Sequence, residues 1–102
     1  MTLLDKYNTD IRKLCKDHKV KSLYAFGSVL TDQFSQTSDI DLIVDFDSID
    51  VASYADNYFA FKFSLEDILK RSIDLLEEKA IKNPYFKKAI GQKRRLVYGH
   101  WY

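Results

Sequence analysis

Apolar and polar positions change period several times along the chain. Leu4, Tyr7, Ile11, Leu14, Cys15 and His18 recur at helical spacing, and Thr2 with Asp5 three residues on forms a capping-type pair, so a first helix with one apolar face is predicted. Leu23 to Phe26 is a short apolar run that reads as a strand and delivers Gly27-Ser28 to the sheet end. From Asp39 to Asp45 the period is two, with Ile40, Leu42 and Val44 alternating with Asp39, Asp41, Ile43 and Asp45; this is a second strand. The ten residues before it turn polar after Leu30, which predicts one helical turn from Ser28 and then a loop. Tyr54, Tyr58, Phe61, Leu65, Ile68 and Leu69 then form a helical stripe. Phe59, Phe61 and Phe63 also alternate, but one continuous helix is the reading taken. Ser72 to Leu76, with Asp74 as its acid, reads as a third strand. Asn83-Pro84 opens a last helix, a cap residue followed by proline at the first helical position, with Phe86, Ala89, Ile90, Leu96 and Val97 returning to the core. Such an order suits an α/β (α+β) fold, a small mixed sheet covered by helices.

One hundred and two residues, without repeat, linker or low-complexity tract, predict one domain over 1–102 with one core. The 16 basic and 15 acidic residues leave a net charge of +1, so no global field steers the chain to nucleic acid, and direct nucleic-acid binding is not expected. Lys87, Lys88, Lys93, Arg94 and Arg95 read as a solvated helix surface. A lone cysteine, Cys15, excludes an internal disulfide, and Cys15 and His18 read as packing residues on the first helix. No apolar run approaches the ~18 residues of a membrane span and the start carries no leader pattern, so a cytoplasmic protein without membrane contact is expected. The aromatic tail His100-Trp101-Tyr102 is expected to pack on the domain or on a partner.

The candidate chemistry lies between Gly27 and Asp74. A strand that ends in Gly27-Ser28 exposes backbone N–H groups and a hydroxyl, which suits a phosphate. Asp39 and Asp41 are two apart on a strand, so they share a face and lie roughly 6.5 to 7 Å apart along the chain. Two like charges held there repel unless a cation lies between them. Oxygen ligands without thiol or imidazole favour Mg²⁺, and a pair of such ions clamps a phosphoryl group under in-line attack. If the third strand lies beside the second, Asp74 completes a three-carboxylate cluster. Phosphoryl or nucleotidyl transfer follows as the expected reaction class.

Gly27-Ser28, ten residues, then Asp39-Ile40-Asp41 resembles the signature of the DNA polymerase β-type nucleotidyltransferase superfamily, and the short chain resembles its minimal nucleotidyltransferase (MNT) branch. Members of that branch are commonly the antitoxin half of HEPN/MNT toxin–antitoxin pairs. The resemblance implies a polymerase β-like fold, two Mg²⁺ ions on Asp39, Asp41 and Asp74, and the β and γ phosphates of ATP on Gly27 and Ser28. Asp74 would also help take the acceptor's proton. The implied acceptor is a tyrosine of a partner HEPN toxin, silenced by AMPylation, in a homo- or hetero-oligomer. Larger relatives carry an added domain to hold the acceptor, and here a protein partner is expected to bring its own surface. Where many relatives place a base near Gly-Ser, Val29-Leu30-Thr31-Asp32 supplies an acid; Lys62, Lys70, Arg71 or a partner's residue would then provide the charge. Two other readings stay open: an antitoxin that neutralises its toxin by binding only, and a stand-alone nucleotidyltransferase acting on RNA or a small molecule.

Overall fold

The computed structural model describes residues 2–27 and 39–99. The turn expected from Ser28, the Thr2 cap, the core role of Ile90 and the packing of the His100-Trp101-Tyr102 tail fall outside what is described. In chain order the elements are α1 (Thr2–Lys6), α2 (Asn8–Asp17), β1 (Val20–Phe26), β2 (Ile40–Phe46), α3 (Val51–Leu69), β3 (Ile73–Glu77), a 3-10 turn (Glu78–Ala80), α4 (Pro84–Lys93) and β4 (Arg95–Tyr98).

The first helical stripe keeps its phase but breaks at Tyr7, just before Asn8 and Thr9, two residues that favour caps over helix interiors. Leu4, Ile11 and Cys15 still reach the core. Burial pushes the Cys15 thiol up to about 12, so it stays protonated at neutral pH. His18 ends α2: its Nδ1 lies 2.8 Å from the Leu14 carbonyl oxygen, and its ring packs 5.6 Å from that of Phe61. Both residues therefore serve packing.

The sheet runs β3-β2-β1-β4. β1 is antiparallel to β2 and to β4, while β2 and β3 are parallel and joined by α3 as the crossover. α3 is one helix, with Phe61, Leu65 and Leu69 buried on the sheet. It ends at Lys70 in the left-handed conformation, where the Lys70 N–H donates to the Glu66 carbonyl at 2.9 Å. Tyr58 donates from its hydroxyl to the Leu75 carbonyl at 2.5 Å, and Tyr54 donates to the Glu77 carboxylate, which pins α3 along β3. Phe59 and Phe63 are instead exposed and stack on each other.

Strand alternation divides the sheet into two faces. Ile40, Leu42, Val44, Phe46, Ile73 and Leu75 join Phe61 and Leu65 on the helix-covered face. Each large side chain buried there contributes about 1.5 to 3 kcal/mol. The other face carries a smaller cluster, Tyr24 and Ile43 with Phe26, Leu76, Ile81 and Leu96.

The end of the chain differs from expectation. Leu96 and Val97, read as the inner side of the last helix, belong to β4, where Tyr24 pairs with Leu96 and Ala25 with Arg95. A four-residue strand carries too little periodicity to announce itself; the free edge of β1 recruits it. α4 lies outside the main core: Tyr85 is 85% and Phe86 41% exposed, and Phe86 meets Phe26 edge-on at 6.4 Å.

Candidate active site

Two strand pairings place the acids. Phe26, the last residue of β1, pairs with Asp41, and the parallel register sets Asp41 opposite Asp74. The Ile40 N–H donates to the Ser72 carbonyl at 3.0 Å, which anchors this register at the mouth of both strands. Asp39 stands exposed immediately before β2. By alternation Asp41 and Asp74 lie on the face away from the main helices, at the end of the sheet where Gly27 leaves β1.

Asp41 is half-buried, while Asp39 and Asp74 are exposed. Its carboxyl is raised above the usual range by burial first, then by the negative charges of Asp74 and Asp39. Asp41 thus feels the charge of both other expected acids. The same Asp74 charge adds to burial in raising the Tyr58 phenol.

Gly27 has φ +76°, and a Cβ built there would lie 2.5 Å from Asp41 Oδ2. The positive φ favours glycine, and any side chain here would have to push the Asp41 carboxylate aside. The site therefore joins the phosphate-turn candidate to the acidic candidate in space. Ser28, its expected partner in phosphate binding, lies outside the described residues.

All three candidate ligands are carboxylates, a donor set that suits a hard divalent cation. Among the described residues, no three carboxylate, imidazole or thiol groups are gathered closely enough to form a ready ligand shell. The fit is thus one of donor chemistry and charge. Of the cations expected to compensate for the missing base, Lys70 lies in an exposed pair with Asp67 at 3.7 Å, and Arg71 has a contact of its own.

One group near this face was not legible beforehand. Arg94, read as helix surface, lies 4.0 Å over the Tyr24 ring and pairs with Glu78 at 2.5 Å. It ties the junction of α4 and β4 to the open face. The available signal was the Leu96-Val97-Tyr98 run that follows, which makes Arg94 the end of a helix rather than its middle.

Residues 9–100 match the family described as Polymerase beta, Nucleotidyltransferase. The chain belongs to the polymerase β nucleotidyltransferase family. Among curated relatives of this nucleotidyltransferase, "Putative protein adenylyltransferase MJ1379" of Methanocaldococcus jannaschii is 41% identical over 80 residues, covering 78% of this chain and 79% of the relative. A solved "putative minimal nucleotidyltransferase" shares 23% identity at a TM-score of 0.75, with 90% of each chain covered. A chain from the tri-AMPylated Shewanella oneidensis HEPN toxin in complex with MNT antitoxin matches at 20% identity and a TM-score of 0.64, covering 95% of this chain and 73% of that one. At such identities the solved structures establish the fold, the expected minimal nucleotidyltransferase fold with its mixed sheet and helices. Among the described residues, no helix is long and apolar enough to cross a membrane.

Proposed function

We propose that this nucleotidyltransferase transfers AMP from ATP to a tyrosine hydroxyl of a HEPN-type toxin, and so acts as the antitoxin of a toxin–antitoxin pair. The observation that carries the reading is the parallel register of Asp41 with Asp74, with Gly27 against the Asp41 carboxylate. The adenylyltransferase name of the archaeal relative and the tri-AMPylated toxin in the solved complex support AMP as the group transferred and a protein as its acceptor.

Asp39, Asp41 and Asp74 would hold Mg²⁺, two ions in the full reading. When bound, the metal neutralises phosphate charge and lowers the pKa of the acceptor hydroxyl. Gly27, through its backbone, and Ser28 hold the β and γ phosphates. Asp74 accepts the proton of the tyrosine hydroxyl. The tyrosine oxygen forms a bond to the α-phosphorus as the bond to the bridging oxygen breaks, and pyrophosphate leaves. The burial and like charges that raise Asp41 disfavour three bare carboxylates, which makes a cation the natural complement of the site.

The test is mass spectrometry of a partner HEPN protein after incubation with this chain, ATP and Mg²⁺, with the Asp39→Asn/Asp41→Asn double variant as control. One or more AMP units on a tyrosine, lost in the variant, are expected. Toxin neutralisation without any mass gain, surviving in the double variant, would replace this reading with neutralisation by binding alone. Transfer to RNA or a small molecule with no partner present would point to a stand-alone enzyme.

A further inference from the structure

β4 ends the sheet, so its outer row of backbone N–H and C=O groups has no strand partner among the described residues. Beside this edge, Arg12 and Lys16 of α2 and Lys21 of β1 join residues 96–99 in lining a groove of about 330 Å³. Neither Arg12 nor Lys16 forms an ion pair among the described residues. The charge there is segregated. At 3.6 residues per turn, Arg12 and Lys16 lie roughly 40° apart around α2, while its acids, Asp10 and Asp17, lie roughly 100 to 160° from them. Within α2, Arg12 and Lys16 thus face the groove on a side from which the helix's own acids are turned away.

We propose that this edge receives an extended acidic segment of a protein partner, added to β4 as a further strand with carboxylates over Arg12 and Lys16. The protein partner is the one respect in which this rests on the function proposed above. The spacings agree. Residues four apart on a helix place their Cβ atoms about 5 to 6 Å apart, and alternate residues of a strand project to one face about 6.5 to 7 Å apart.

Backbone pairing at a sheet edge is available to a peptide and not to a polynucleotide. Val97 and Tyr98, half-buried in the groove floor, favour the same choice. A second copy of this chain would bring its own cations to the edge, so the occupant is acidic rather than self. Position adds a consequence. Arg95 pairs with Ala25, one residue before Phe26, which itself pairs with Asp41. A segment lying along β4 leaves the edge at the same end of the sheet as the acids.

The experiment uses the intact chain without nucleotide, so its result does not depend on AMP transfer. Fluorescein-labelled peptides of alternating Glu-Thr or alternating Gln-Thr, about eight residues long, and a single-stranded RNA of equal length are titrated by anisotropy. Hydrogen exchange is followed at residues 95–98. The Glu-Thr peptide is expected to bind and to protect those amides. Its affinity should fall about tenfold for Arg12→Gln/Lys16→Gln, two exposed ion pairs being lost. It should also weaken between about 50 and about 500 mM salt, and the Gln-Thr peptide should bind comparably weakly. No binding, binding unchanged in the double variant, or no protection of 95–98 would overturn the proposal. RNA binding more tightly than the peptide, and lost in the same variant, would assign the groove to nucleic acid instead. Failure here leaves adenylyl transfer intact, and failure of transfer leaves this result standing.

Discussion

The two faces of the sheet follow opposite rules. The helix-covered face is apolar from Ile40 to Phe46 and closed by Phe61 and Leu65, so every group on it gains by leaving water. The opposite, more open face buries only the small cluster around Tyr24 and Ile43, places Asp41 and Asp74 side by side and holds Arg94 between Tyr24 and Glu78. Like charges at neighbouring positions cost stability that the covered face must offset. The same strands therefore carry the packed core on one side and the candidate site on the other.

Breaking the covered face should have the largest effect on stability. Phe61→Ala opens a cavity at a side chain with no exposure and should cost about 3 to 5 kcal/mol in denaturant unfolding. A loss below about 1 kcal/mol would mean that the helix-covered side is not the stabilising one.

The converse holds for the open face. Asp41→Asn should abolish transfer while leaving stability equal or up to about 1 kcal/mol higher, since it removes a charge that burial, Asp74 and Asp39 all disfavour. Unfolding curves and a transfer assay on the same preparation read both quantities. Strong destabilisation would show the carboxylate to be structural.

Gly27→Ala joins the two sides. The positive φ should cost about 1 to 2 kcal/mol, and the added methyl must displace Asp41 Oδ2, so transfer should fall by more than stability predicts. If transfer falls only as far as unfolding explains, the close approach of Gly27 and Asp41 has no functional weight.

A smaller effect separates the acids by pH. Glu77 is raised from its ordinary 4.5 by burial, with Lys79 opposing. The folded chain therefore holds that proton more tightly than the unfolded one. Its contribution to stability is present below pH 4.5 and is lost as pH rises through the raised folded value. Glu77→Gln, still able to accept from Tyr54, should flatten that part of the stability profile. An unchanged slope would place the burial cost elsewhere.

Much of this architecture is readable where the signal is local. The period-two run from Asp39 to Asp45 becomes β2, the stripe from Tyr54 to Leu69 becomes α3, the run around Asp74 becomes β3, and Asn83 caps α4 through its Oδ1, which accepts from the Tyr85 N–H at 2.9 Å. Each depends on neighbours within a few residues. Gly27 and the acids were candidates for the same reason, since residue type and spacing lie in the chain itself.

What tertiary structure alone decided are the long-range pairings. That Asp74 stands opposite Asp41 follows from a parallel register imposed by the α3 crossover, and no local pattern encodes a register across 33 residues. Leu96-Val97-Tyr98 became strand because β1 had a free edge, and Arg94 became an anchor because that strand drew it over Tyr24. Periodicity determines which side of an element is apolar; the partner that covers that side is chosen by the whole chain, because burial is a property of neighbours distant in sequence.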